Sequence, residues 1–154
     1  MTARQYLEQH KLIADEIEEQ RQLIETLRAV AEKTVAELKE DRVQSSHDDR
    51  SLENVAISVA EEERWLGHLK ELLFFIRKEI CENAKRYAPH EASVLINAYI
   101  MDMTLEAIGM SQKSERRNKS WAHDKRVDGE CLLEAAMNEH PDDFTIISLS
   151  RNEG

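Results

Sequence analysis

Residues that interrupt secondary structure are scarce in this chain of 154 residues, which has only four glycines and two prolines. At average usage a chain of this length would carry about 18 of them. Turn-rich sandwiches, barrels and doubly wound α/β folds are therefore not expected. No glycine or proline precedes Gly67, and Ala, Glu, Lys, Leu and Arg together make up nearly half of the chain. This composition predicts an all-α protein with long helices.

Cysteines and long apolar runs are also lacking. Cys81 and Cys131 lie far apart with no Cys-x-x-Cys spacing, which argues against a disulfide framework or a cysteine zinc site. The longest apolar run is Leu72–Ile76, and the N-terminus has no hydrophobic signal-peptide core. We therefore expect a soluble, cytoplasmic protein that does not bind membranes.

The sequence patterns of common catalytic sites are missing as well. The four glycines are too widely spaced for a dinucleotide fingerprint, a phosphate loop or a nucleophile elbow. The six histidines lack the spacing of zinc proteases and of di-iron helical bundles. We expect neither an enzyme nor a bound metal or cofactor, and His47-Asp48-Asp49 is interpreted as part of a polar loop.

Two long amphipathic patterns predict a helical hairpin. Apolar residues recur with heptad spacing over Ala3–Lys39 and again over Leu52–Ala88. Each pattern corresponds to about 55 Å of helix. The polar stretch between them favours a short connection, so residues 1–88 are predicted to form an antiparallel, coiled-coil-like hairpin with its loop at about 40–51.

The second helix carries a further apolar stripe that its hairpin partner cannot cover. Either the C-terminal domain packs there or the stripe is a dimer interface, and the sequence leaves both open. The interface candidates are Trp65, Leu72, Phe74 and Phe75.

Pro89 predicts the start of a second domain, because proline ends one helix and suits the first turn of another. Three short helices are expected. The first covers residues 91–101, the second follows an N-cap at Thr104, and the third covers Ser111–Met137. Residues 89–137 are thus predicted to form a small helix-turn-helix-like domain. Residues 138–154 form a tail whose β-prone run Phe144–Leu149 either docks or is disordered.

One segment reverses the acidic background of a chain with net charge −10. The segment between Ser111 and Val127 contains six basic and two acidic residues. The third helix of a helix-turn-helix enters the major groove, so this segment is expected to contact DNA, the alternative being a solvated helix face. The candidates are Lys113, Arg116, Arg117, Asn118, Lys119, Lys125 and Arg126.

Several short stretches resemble the ArpU/RinA-type regulators of Gram-positive bacteriophages. They are Ala3–Gln9, Leu27–Ala31, Val94–Ile100, Met103–Ile108 and, above all, Asp41-Arg42-Val43-Gln44-Ser45-Ser46. The resemblance covers about residues 3–127 and implies a helix-turn-helix similar to region 4 of sigma factors. It also implies that Arg116, Arg117 and His123 lie in the recognition helix.

The same alignment places polar Gln112, Ser114 and Lys119 where a helix-turn-helix core needs apolar residues, and Trp121 where a polar one is expected. Either the third segment is shifted in register or the helix-turn-helix is degenerate.

Together these patterns predict a phage or mobile-element transcription regulator. Its expected partners are double-stranded DNA, a second copy of the chain and, as a further candidate, RNA polymerase. The alternative is a helical adaptor or a small terminase-like DNA-packaging protein, with a degenerate helix-turn-helix and no sequence-specific DNA binding.

Overall fold

The structure, a computed structural model, describes residues 1–40, 46–112 and 117–151. It contains α1 (Ala3–Glu40), α2 (Ser46–Tyr87), α3 (Ala92–Tyr99), α4 (Leu105–Met110), α5 (Lys119–Glu139) and a 3-10 turn at Pro141–Asp143. Helices α1 and α2 form a long antiparallel hairpin, and α3–α5 form a small three-helix unit with no strand in the described ranges. The predicted all-α architecture is confirmed. None of the described helices is long and apolar enough to cross a lipid bilayer.

Two compact units divide the chain. The first comprises Met1–Ile13 and Leu73–Gly154, and the second comprises Ala14–Leu72. The N-terminal end of α1 and the C-terminal end of α2 therefore belong to the same unit as α3–α5. Helix α2 ends at Tyr87, just before Pro89, but separate folding of residues 1–88 and 89–137 stays a prediction.

Helix α2 begins earlier than predicted. The loop was expected over about 40–51, whereas residues 46–51 belong to α2 and residues 41–45 lie outside the described ranges. Placing His47-Asp48-Asp49 in a loop was therefore wrong. Ser and Asp favour the first turn of a helix as much as they favour turns, so composition could not separate the two.

The second unit is held together by the heptad seam. Ile17, Ile24 and Leu69 are buried there. The side-chain amide of Gln20 is buried in the same seam and donates to the backbone oxygen of Glu62 at 3.0 Å. Because the polar seam residue is satisfied, it costs little and fixes how the helices align.

The C-terminal tail docks within the first unit. Phe144 is buried between Tyr6, whose ring centroid lies 5.0 Å away, and Tyr87 at 5.7 Å. The amide of Gln9 donates to the Thr145 carbonyl at 3.0 Å and accepts from the Ile147 N–H at 2.8 Å. Of the two alternatives for the tail, docking is what its described residues show.

Candidate nucleic-acid interface

A small apolar core joins α3, α4 and α5. Val94, Ile108 and Ala122 are buried in it, and Trp121 packs against them. Lys119 stays exposed and Gln112 is partly exposed. The core therefore takes Trp121 and Ala122 from α5, in a register that differs from the one the resemblance implied. Ser114 lies outside the described ranges.

Two glycines set how closely these helices approach. A Cβ at Gly109 of α4 would lie 2.4 Å from the carbonyl carbon of Asn118 and 2.8 Å from the nitrogen of Lys119. A Cβ at Gly129 of α5 would lie 2.7 Å from Cδ1 of Leu95 in α3. Only glycine permits these contacts without a shift, so Gly109 positions the start of α5.

The residues before α4 contain the predicted N-cap. Asp102 adopts a left-handed conformation (φ 53°), which Asp tolerates better than most residues. Thr104 then caps α4, since its hydroxyl accepts from the Ala107 N–H at 3.1 Å. The predicted N-cap is confirmed, and Gly109 lies inside the helix.

Helix α5 begins later than predicted. It was expected to start at Ser111, but α4 ends at Met110 and α5 begins at Lys119. Asn118 is its N-cap, with extended backbone (φ −114°, ψ −167°) and with Oδ1 accepting from the Trp121 N–H at 3.1 Å. The cap uses one lone pair of that oxygen, and the amide nitrogen can still donate to DNA.

Besides the cap residue Asn118, three of the candidate DNA contacts are exposed at the N-terminal end of α5. Arg117 lies 5.1 Å from the ring centroid of Trp121 and donates to Gln112 Oε1 at 3.0 Å. Lys119 occupies the first turn of the helix, and the His123 side chain is 53% exposed one turn later. These side chains share the end of the helix where the backbone N–H groups also favour anions.

Two other candidates face carboxylates of the chain itself. Lys125 Nζ lies 4.0 Å from Glu91 Oε1, and Arg126 Nε lies 3.8 Å from Glu130 Oε1. Their side chains are 31% and 23% exposed, so both pairs are shielded from solvent more than a surface ion pair. Their predicted DNA contacts stay predictions, but each would require that an internal pair open.

Acidic residues follow the basic end of α5. Asp124, Asp128 and Glu134 are exposed further along the helix. These residues repel a polyanion, so a favourable contact along α5 is expected only at its N-terminal end, as far as His123. Lys113 and Arg116, the remaining candidates, lie outside the described residues.

A hydrogen-bonded group at Tyr99 was not foreseen from the sequence. Its hydroxyl donates to Glu130 and accepts from Arg4, and burial raises the pKa of Tyr99 to about 12. Its backbone oxygen accepts from Nε2 of His10. Glu130 thus accepts from Tyr99 and forms an ion pair with Arg126 at 3.8 Å. With Arg4 on the Tyr99 hydroxyl, the group links α1, α3 and α5.

The His10 side chain is buried, and its Nδ1 has no hydrogen-bond partner among the described residues. Burial lowers the pKa of His10, and Arg77 and Lys11 act in the same direction, while the Tyr99 carbonyl and Asp102 oppose them. The neutral form with the proton on Nε2 fits this site, because a second proton would leave a buried N–H unpaired.

The candidate interface residues of α2 differ in exposure. Trp65 and Leu72 are half-buried, and the Trp65 ring lies 5.2 Å from that of His68. Phe74 is 73% exposed and Phe75 is 49% exposed. The described residues of the C-terminal half therefore do not bury either phenylalanine. Burial of these side chains by a second copy of the chain stays a prediction.

Comparison of the chain with protein-family models, with curated proteins and with solved structures finds no match.

Proposed function

We propose that the chain is a DNA-binding transcription regulator of the phage or mobile-element type, which contacts duplex DNA with the first turn of α5 and the basic segment before it. The observation that carries the proposal is the cluster of exposed Arg117, Lys119 and His123 at the N-terminal end of a helix packed on α4. In a helix-turn-helix the N-terminal residues of the second helix contact base edges, and its first helix crosses the backbone. The phage-regulator resemblance supports the same function.

The supported contact surface is smaller than the sequence predicted. Lys125 and Arg126 are paired internally, and the acidic residues of α5 begin at Asp124. With a net charge of −10, one copy of the chain should bind DNA weakly. Two copies on one site would raise the affinity through effective concentration.

Salt-dependent binding to duplex DNA tests this proposal. Arg117→Ala and Lys119→Ala should each lower the log-log salt slope by about one unit, because each removes one phosphate contact. Lys125→Ala and Arg126→Ala are the matched controls from the same helix, and they should leave the slope unchanged.

Two results would contradict the proposal. One is the absence of duplex binding at about 50 mM salt, where electrostatic contacts are strong. The other is an equal effect of all four substitutions on the slope, which would mean that the DNA contact is not confined to the N-terminal end of α5.

A second candidate function is a helical adaptor that binds protein rather than DNA. Residues 111–118 separate α4 from α5, which is longer than the turn of about 3–4 residues in a typical helix-turn-helix. The exposed acidic residues of α5 favour the same alternative. Pull-down from a nuclease-treated host lysate would support it by recovering RNA polymerase subunits or phage structural proteins, whereas ring-sized particles in light scattering would indicate a packaging protein.

A further inference from the structure

Two exposed phenylalanines lie together on the outer surface of α2. Phe74 is 73% exposed and Phe75 is 49% exposed. Glu71 and Lys78, both exposed, lie three or four residues away in the same helix. The spacing i, i+3, i+4, i+7 places the four side chains on one side of α2, and we call this surface the phenylalanine face.

Charge is balanced along the stretch of α2 that carries the phenylalanine face. Residues 70–82 contain three basic and three acidic side chains, although the whole chain carries −10. Two copies would repel each other over most of their surfaces but not here. Exposed aromatic residues without excess charge of one sign are typical of protein interfaces.

The order of residues in the face makes it complementary to itself. An acidic residue lies one turn before the phenylalanine pair and a basic residue lies one turn after it. We propose that two copies of the chain associate through this face, with their α2 helices antiparallel about a two-fold axis between residues 74 and 75.

In this arrangement Phe74 packs on the partner's Phe75, and Glu71 meets the partner's Lys78. The two-fold axis repeats both contacts, as in an isologous dimer.

The dimer should be weak. A standard interface buries about 800 Å² per partner, and one helix face provides less. We therefore expect a monomer–dimer equilibrium that depends on concentration. The dimer does not require the proposed DNA binding, because the phenylalanine face contains none of the residues assigned to DNA.

Sedimentation of the full chain over a concentration series, without DNA, tests the proposal. Glu71→Lys and Lys78→Glu should each raise the dimer dissociation constant about tenfold, because each creates two like-charge contacts. An equimolar mixture of these two variants should associate again, since the mixed pair regains opposite charges at both positions. Phe74→Ser should abolish association.

Matched controls separate the interface from general effects. Glu32→Lys changes an exposed glutamate of α1, and Ile57→Ser removes an apolar side chain of α2 that is 50% exposed. Both should dimerise as the unmodified chain does, and circular dichroism should show equal helicity for all variants. A chain that stays monomeric at every concentration, a mixture that associates no better than its components, or a Phe74→Ser variant that dimerises normally would each overturn the proposal.

Discussion

Replacing Gly109 by alanine tests how the start of α5 is positioned. The added Cβ would lie 2.4 Å from the carbonyl carbon of Asn118, 2.7 Å from its oxygen and 2.8 Å from the nitrogen of Lys119. All three are backbone atoms, so no side-chain rotation can relieve the contact. Helix α4 and the start of α5 would have to separate.

The cost can be worked out from general magnitudes. Overpacking a core typically costs about 1–3 kcal/mol, and contacts with backbone favour the upper end. Alanine recovers about 0.5–1 kcal/mol because it is a better helix former than glycine. We expect Gly109→Ala to lower the free energy of unfolding by about 2 kcal/mol.

Gly67 provides the matched control. It also lies inside a helix, but a Cβ there would meet no atom within 4 Å. Gly67→Ala should therefore raise the free energy of unfolding by about 0.5–1 kcal/mol. Urea unfolding can be followed by circular dichroism, and by Trp121 fluorescence in a Trp65→Phe background, which reports on α5 alone. If Gly109→Ala is neutral or stabilising, as Gly67→Ala is expected to be, the inferred close approach is wrong.

Three further substitutions test the cap, the tail and the buried histidine by urea unfolding. Asn118→Ala should cost about 1 kcal/mol, whereas Asn118→Asp should retain most of the stability because it can still cap α5. Phe144→Ala should cost about 3–5 kcal/mol if the aromatic packing of the tail is as tight as its burial indicates. The lowered pKa of His10 means that the unfolded state binds a proton more readily. Stability should thus be complete above about pH 6.5 and fall below it by at most about 1.4 kcal/mol per pH unit. His10→Gln should flatten this pH dependence, and an unchanged slope would place its origin elsewhere.

The hairpin could be predicted because one physical rule determines it. Heptad spacing selects the buried side of each helix, and the seam residues Ile13, Ile17 and Ile24 are buried as this rule requires. The start of α2 could not be located by the same rule, because Ser and Asp residues suit both a loop and a first turn. Docking of the tail rests on side chains of Gln9 and Glu79 far away in sequence, and no local pattern shows such contacts.

The sequence shows that the segment between Ser111 and Val127 is basic, but it does not show which of these side chains are exposed. The Arg126–Glu130 pair has the i,i+4 spacing of a helical ion pair, so the sequence did contain a sign that Arg126 is engaged. Glu91, in contrast, lies directly before α3, whereas Lys125 lies in α5. Only the packing of α5 on α3 brings the two side chains together. Asn118 was expected to contact DNA, and its role as the N-cap of α5 was not foreseen, because the helix was predicted to start at Ser111.

The slope of the salt dependence can count how many of these cations reach phosphate. Each phosphate contact contributes about −0.9 to the log-log slope. Contacts from Lys113, Arg116, Arg117 and Lys119 alone would give about −3.6, and adding Lys125 and Arg126 would give about −5.4. The internal pairs with Glu91 and Glu130 favour the smaller magnitude, because opening them would leave carboxylates with little solvent access unpaired. A slope near the larger value would show that these pairs open on binding. In that case Glu91→Gln and Glu130→Gln should strengthen DNA binding. If the measured slope is near the smaller value, the same two substitutions should leave the slope unchanged.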